Sequence, residues 1–313
     1  MSEHCRLQKF RVSGCNLTEV SCEMIATPLK RENSQLKVLD ISHNDLQDAG
    51  IELLCPGLQS PHCIVEVLRL SACLISEKGS FILASVVEAH SQLRELDLQN
   101  NYLGDAGVML LTAKQRDPMC KLELLNVNNC SEQWLKPGPQ KYACELTLDS
   151  NTASRHLALS KRNQKATYMN KRQPYPDHPD RFADCPLVLC EEGLSGRHYW
   201  EVVWGGSGVR IGATYKDINR KGAKGLDGSA TAWCMECCTE RFTVQHANRT
   251  QTIPRGSGSG SRVGVYLDWP AGTLSFFSVC SGTLKLLHTF DAIFAEPLYP
   301  GFYIASESSV ELC

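Results

Sequence analysis

Leucine and its aliphatic substitutes recur at one fixed set of gaps along the first 130 residues, in the order L-x-x-L-x-L-x-x-[NC]. The five copies are Leu7-Phe10-Val12-Cys15, Leu36-Leu39-Ile41-Asn44, Val65-Leu68-Leu70-Cys73, Leu93-Leu96-Leu98-Asn101 and Leu122-Leu125-Val127-Cys130. Their starts step by 29, 29, 28 and 29 residues, and the ninth position alternates between Cys and Asn. A unit this short cannot bury its own apolar face. It must stack on its neighbours, which gives a solenoid of strand-and-helix repeats that presents surface and encloses little. The central Leu-x-Leu of each copy is expected as a short strand. Helical spacing follows at Ala49-Leu53-Leu54-Leu58, Ile82-Val86 and Ala106-Leu110-Leu111, with Asp48 and Asp105 where a helix N-cap belongs.

The alternation of 28- and 29-residue units resembles the ribonuclease-inhibitor class of leucine-rich repeats. LKVLDISHNDLQDAG (36–50) and LRELDLQNNYLGDAG (93–107) are near copies of each other. Packing already accounts for every leucine, so function is sought on the outward strand positions of the concave face. Those are Arg11, Ser13, Asp40, Ser42, Arg69, Ser71, Asp97, Gln99, Asn126 and Asn128. They mix charges and lack aromatics, so no anchor cluster stands out. The first repeat opens within seven residues of Met1, with no polar segment to cover the end of the stack. The chain is therefore expected to be a piece of a longer receptor or the product of a truncated transcript.

The periodicity stops at Cys130. The stretch 131–142, with two prolines and a glycine, is expected as a linker, and Trp134 as part of a cap over the last repeat. Beyond it the pattern changes to short strand-like runs: CELTLDS, HYWEVVW, VRIGATY, RFTVQH, RVGVYLDW, TLSFFSV and PLYPGFYI. Many short strands point to an antiparallel β-sandwich over 143–313, with one helical turn near Phe290–Phe294. The fold class is thus multidomain: an α/β solenoid over 1–130, then an all-β sandwich.

LTLDSNTASRHLALS (146–160), CPLVLCEEGLSGRHYWEVVW (185–204), VRIGATY (209–215), YLDWPAGTLSFFSV (266–279) and PLYPGF (297–302) resemble, in order, the motifs of a PRY-SPRY domain. Repeats followed by PRY-SPRY resemble the C-terminal portion of the large NOD-like receptor family of fishes. That resemblance implies an upstream nucleotide-binding domain. No G-x-x-x-x-G-K-[ST] occurs here, and GGSG (205–208) and GSGSGS (256–261) read as sandwich loops.

Bulk properties narrow the function classes. Among 313 residues the net charge is −2, so whole-chain charge makes no case for a nucleic-acid or membrane-surface partner. No apolar run reaches the roughly 18 residues a membrane helix needs. Sixteen cysteines without an apolar leader read as cytosolic free thiols, with Cys15, Cys73 and Cys130 buried at the repeat turns. Trp233-Cys234-Met235-Glu236-Cys237-Cys238 looks like a zinc half-site, but no second Cys/His pair follows at workable spacing. It reads better as a strand. Glu191-Glu192 reads as solvated surface, and the basic run from Lys161 to Lys165 as a solvated loop. No Cys, His and Asp set shares a motif, so neither metal, cofactor nor catalysis is expected.

The reading is recognition of a host or microbial protein by a cytoplasmic innate immune receptor. Resemblance to tripartite-motif relatives places the ligand on the loop 216–231, on Glu236 and Cys238, and on Leu298 and Tyr299. The loop carries Lys216, Arg220, Lys221 and Lys224, which suits an acidic or mixed-charge partner surface. The alternative is a substrate-recruiting adaptor for ubiquitin transfer, although no RING-type cysteine-histidine pattern or coiled-coil heptad appears.

Overall fold

The structure is a computed structural model that describes residues 6–89, 92–222, 225–227, 229–256 and 260–313. Contacts divide the chain into two compact units, Met1–Lys141 and Tyr142–Cys313.

In the first unit each Leu-x-Leu becomes a three-residue strand: β1 (Lys9–Arg11), β2 (Val38–Asp40), β3 (Val67–Arg69), β4 (Glu95–Asp97) and β5 (Leu124–Asn126). They pair in parallel in chain order. Between them run α1 (Glu19–Leu29), α2 (Gln47–Leu58), α3 (Glu77–Ala89) and α4 (Gly104–Gln115). Leu39, Leu68 and Leu96, each 0% exposed, form the spine of the core.

The Asn positions tie neighbouring repeats together. Asn44 accepts the N–H groups of Cys15 and Leu17, each at 3.0 Å, and donates to Val12 O at 2.9 Å and Ile41 O at 2.8 Å. Asn101 does the same for Cys73 and Ile75 at 3.0 Å each, and for Leu70 and Leu98 at 2.9 Å each. One amide with a donor and an acceptor thus serves two turns. The Cys73 thiol reaches back to Ile41 O at 3.4 Å. Burial pushes that thiol up to about 12.

Three expectations change here. Cys15 is exposed and Cys130 half-buried, while Cys73 is fully buried. Cys15 follows β1, an edge of the described sheet, so it has a neighbouring turn on one side only. Asp48 lies inside the first turn of α2 and does not cap it. It accepts from Ser76 N at 2.8 Å and from the Ser76 hydroxyl, at the entry to α3. The segment 131–142 is not a slack linker. It forms two 3₁₀ turns, Glu132–Leu135 and Gly138–Tyr142, with Trp134 7% exposed and Lys141 2% exposed. Gly138 sits at φ +60°, which turns its N–H toward Asp45 Oδ2 at 2.7 Å.

The second unit is an antiparallel sandwich of β6 (Leu157–Ser160), β7 (Lys165–Tyr168), β8 (Leu187–Leu189), β9 (Arg197–Gly205), β10 (Gly208–Thr214), β11 (Ala232–Cys238), β12 (Arg241–His246), β13 (Arg249–Pro254), β14 (Arg262–Asp268), β15 (Thr273–Cys280), β16 (Thr283–Asp291), β17 (Tyr299–Ile304) and β18 (Ser309–Leu312). One sheet runs β13-β12-β11-β10-β17-β8, and the other β16-β15-β14-β9-β18-β7-β6. Trp200, Trp204, Ile211, Met235, Phe276 and Phe302 fill the space between them. CELTLDS makes only an isolated bridge, Leu148 to Cys190, and Phe290 lies in β16 where a helical turn was expected. On β9 both Tyr199 and Trp200 are 2% exposed, so strict alternation fails. Cys144 N donates to Tyr199 O at 2.9 Å, which lays the segment before the sandwich along this strand.

Candidate functional site

The alternation of β11 sends Trp233, Met235 and Cys237 into the main core and leaves Cys234, Glu236 and Cys238 on the opposite face of the six-stranded sheet. The Cys run is therefore split between two faces. Among the described residues no group of three or more His, Cys, Asp or Glu is placed to hold a metal ion.

That outer face has a small core of its own, made by Phe182, Cys185, Leu187, Leu189, Ile218, Leu226, Ala232 and Cys234. Ile218 (5% exposed) and Leu226 (1%) belong to the 216–231 loop, so these two loop residues pack on the sheet and are not open to a ligand. Over this small core lies a charged cluster. Register places Arg210 between Glu236 on β11 and Tyr303 on β17. The Arg210 guanidinium is 2.9 Å from Asp227 and 3.8 Å from Glu236, and it lies 4.5 Å from the centre of the Tyr303 ring. Burial raises the Asp227 carboxyl above its ordinary range, and Arg210 opposes that rise.

The expected ligand residues fare differently. Glu236, Cys238 and Tyr299 are half-buried on the outer face, with the Lys216 ammonium 5.6 Å above the Tyr299 ring. Cys238 Sγ donates to Arg241 O at 3.2 Å. Arg220 stacks on Phe182 at 4.7 Å and donates to Lys216 O at 2.8 Å, while Lys221 is exposed. Lys224 lies outside the described residues. Leu298 is 0% exposed and belongs to the main core, so it is unavailable to a ligand. Its neighbour Tyr299 takes the outward position, as strand alternation requires.

Arg210, Asp227 and Tyr303 were missed. The alternation in VRIGATY already marked Arg210 as outward, but only the pairing of β10 with β11 and β17 reveals its partners.

On the repeat unit the concave positions line up as Arg11, Asp40, Arg69, Asp97 and Asn126 across successive strands. Arg69 pairs with Glu95 at 2.8 Å. Burial raises the Asp97 carboxyl. Arg69 opposes that rise, while Glu95 and Asp40 add to it. Ser42 (4% exposed) and Ser71 (3%) are buried between adjacent turns, which removes them from the candidate surface. Ser13 and Asn128 are exposed and Gln99 is half-buried.

Comparison with known proteins agrees with this architecture. Residues 146–194 match the SPRY-associated domain (PRY), residues 197–313 the SPRY domain, and residues 32–55 and 90–111 the leucine-rich repeat. Stonustoxin subunit beta of Synanceia horrida is 44% identical over 169 residues, 53% of this chain and 24% of that protein. The ribonuclease inhibitor of Sus scrofa is 37% identical over 158 residues, 50% of this chain and 34% of that protein. NACHT, LRR and PYD domains-containing protein 12 of Mus musculus is 41% identical over 126 residues, 40% of this chain and 12% of that protein. The crystal structure of the TRIM65 PSpry domain superposes with a TM-score of 0.52 at 27% identity, covering 56% of this chain and 92% of that one. The chain thus spans about a third or less of the length of each of these curated relatives.

The chain carries leucine-rich repeats followed by a PRY-SPRY domain. Both are modules that typically serve protein interaction. Among the described residues no helix is long and apolar enough to cross a membrane.

Proposed function

We propose that this chain is the recognition end of a cytosolic innate immune receptor of the NOD-like type, and that its PRY-SPRY sandwich holds a protein ligand without transforming it. One observation carries the reading. Side chains from three segments distant in sequence converge on the outer sheet face: Arg210 and Lys216 on and just after β10, Glu236 of β11, and Tyr299 and Tyr303 of β17. Half-exposed aromatics mixed with charged groups are the composition of an interface core with a polar rim. Support for the receptor context comes from the order of repeats and sandwich, and from the likeness of the repeats to a NACHT-bearing protein. An upstream nucleotide-binding domain belongs to the same proposal.

The test uses the whole chain as bait against host and microbial extracts, with Glu236→Arg and Tyr299→Ala as variants. Loss of a captured protein in both variants, with the fold intact by circular dichroism, supports the reading. Unchanged capture removes this face from consideration. The likeness to the TRIM65 domain favours a second reading, a substrate-recruiting adaptor for ubiquitin transfer. It requires ubiquitin-transfer enzymes to appear with the bait.

A further inference from the structure

A cleft of about 880 Å³ opens on the sandwich unit, with Phe182 of the small outer core and Lys221 of the 216–231 loop in its wall. Its walls include Arg155, Arg172, Asp177, Arg181 and Lys221, so four fixed cations face one carboxylate. The cations differ in how they are held. Arg181 is 8% exposed, and its guanidinium donates to three backbone carbonyls, Pro176 O at 3.1 Å, Ser150 O at 2.8 Å and Ala153 O. The Tyr175 ring centre lies 5.0 Å from it. Among the described residues no carboxylate forms an ion pair with Arg181. Its charge is buried and has no directly paired carboxylate, and such a charge projects its field into the adjoining cleft. Burial, with Arg155 second, lowers its proton affinity, and Tyr175, Asp149 and Asp177 oppose that shift in part.

The remaining cations are available. Arg155 pairs with Asp177 at 2.7 Å, but the Asp177 side chain is fully exposed, so water and salt weaken the contact. Arg172 and Lys221 are exposed, and neither side chain has a hydrogen bond or ion pair among the described residues. The arrangement is an anion receptor in which Asp177, among the described lining residues, is the one carboxylate, and it is displaceable.

We propose that this cleft binds a carboxylate-bearing peptide segment, with an Asp or Glu side chain of a protein partner seated toward Arg181 and flanked by Arg172 and Lys221. This deepens the recognition reading above and rests on it. The guanidinium of Arg155 or Arg172 offers a two-pronged donor to a carboxylate. A nucleic acid fits less well. It calls for a platform of exposed aromatic rings, whereas Phe182 in the cleft wall is 2% exposed and covered by Arg220, which leaves His178 alone.

The test measures fluorescence anisotropy of a labelled peptide of alternating Glu and Gly, with a Gln and Gly peptide as control, on the whole chain. The Glu peptide is expected to bind at least about tenfold more tightly than the control at low salt, and to lose that advantage at high salt. The double variant Arg172→Glu with Lys221→Glu should weaken it by at least about tenfold, since two attractions become repulsions. Arg172→Lys with Lys221→Arg should keep most of the binding. Both sites are exposed, so folding is preserved, and circular dichroism checks this. Equal binding of the two peptides, or indifference to the double reversal, overturns the proposal. So does tighter binding of a thymidine oligonucleotide than of the Glu peptide. If these fail while Glu236→Arg abolishes capture, the cleft is wrong and recognition by the outer face stands. If the whole chain captures no protein at all, the recognition reading itself falls.

Discussion

Lys141→Met should destabilise the repeat unit by about 3 kcal/mol. Lys141 is 2% exposed, and its ammonium holds three oxygens: Asp45 Oδ1 and Ala72 O, each at 2.8 Å, and Asn44 O at 3.3 Å. Methionine keeps the apolar stem and removes the charge. Breaking a buried ion pair by deleting one partner costs about 3–5 kcal/mol. The Asp45 side chain is 30% exposed and regains water, which lowers that figure. Two buried carbonyls lose a donor at about 1 kcal/mol each, which raises it again. Hydrogen exchange on the whole chain reads the result locally. About 3 kcal/mol corresponds to roughly a hundredfold faster exchange at amides that open with this segment. The Gly138 amide, bonded to the same Asp45, should respond first. Asp45→Asn should have a smaller effect, and the double variant should fall well short of the sum of the singles. Exchange at 132–141 that changes less than about threefold in Lys141→Met refutes the reasoning. The lysine would then be held by the fold without holding it.

Three further expectations follow from the same geometry. Trp200→Ala, at a site 2% exposed and paired in register with Val265, should cost about 3–5 kcal/mol; an unchanged melting transition of the sandwich would show that this register is wrong. The described cysteines are all free, so denaturing alkylation without reductant should label every one; in the native state Cys15, Cys280 and Cys313 should react well before Cys73 and Cys237. Burial raises Cys73 from its ordinary 9.0 to about 12, and the unfolded chain ionises first. The stability it reports is therefore whole below about pH 9 and lost as pH rises toward 12. The helix signal in circular dichroism should fall across that window, and less so in Cys73→Ala once its lower baseline stability is subtracted.

The sequence by itself determined the solenoid and the class of the sandwich. A repeat of 28 or 29 residues allows one way of burying Leu39, Leu68 and Leu96, and each copy restates the instruction. The strand reading of 233–238 likewise needed no knowledge of its partners, and alternation then splits Trp233 and Met235 from Glu236 and Cys238. The candidate surface was legible only in part. Leu298 and Tyr299 are adjacent in a strand-like run, so alternation separates them, but nothing local says which of the two enters the core. Ser42 and Ser71 look like free strand positions, yet the neighbouring repeat covers them. Pro137-Gly138-Pro139 reads as slack chain, yet Lys141 reaches Ala72 across 69 residues of sequence. The same holds for Arg181, which appears as one basic residue among several until the fold removes water from it and supplies carbonyls in place of a carboxylate. Periodicity encodes which residues meet within a repeated unit. Partners brought together by the whole chain, and the charges left unbalanced when they meet, are fixed only by the tertiary fold.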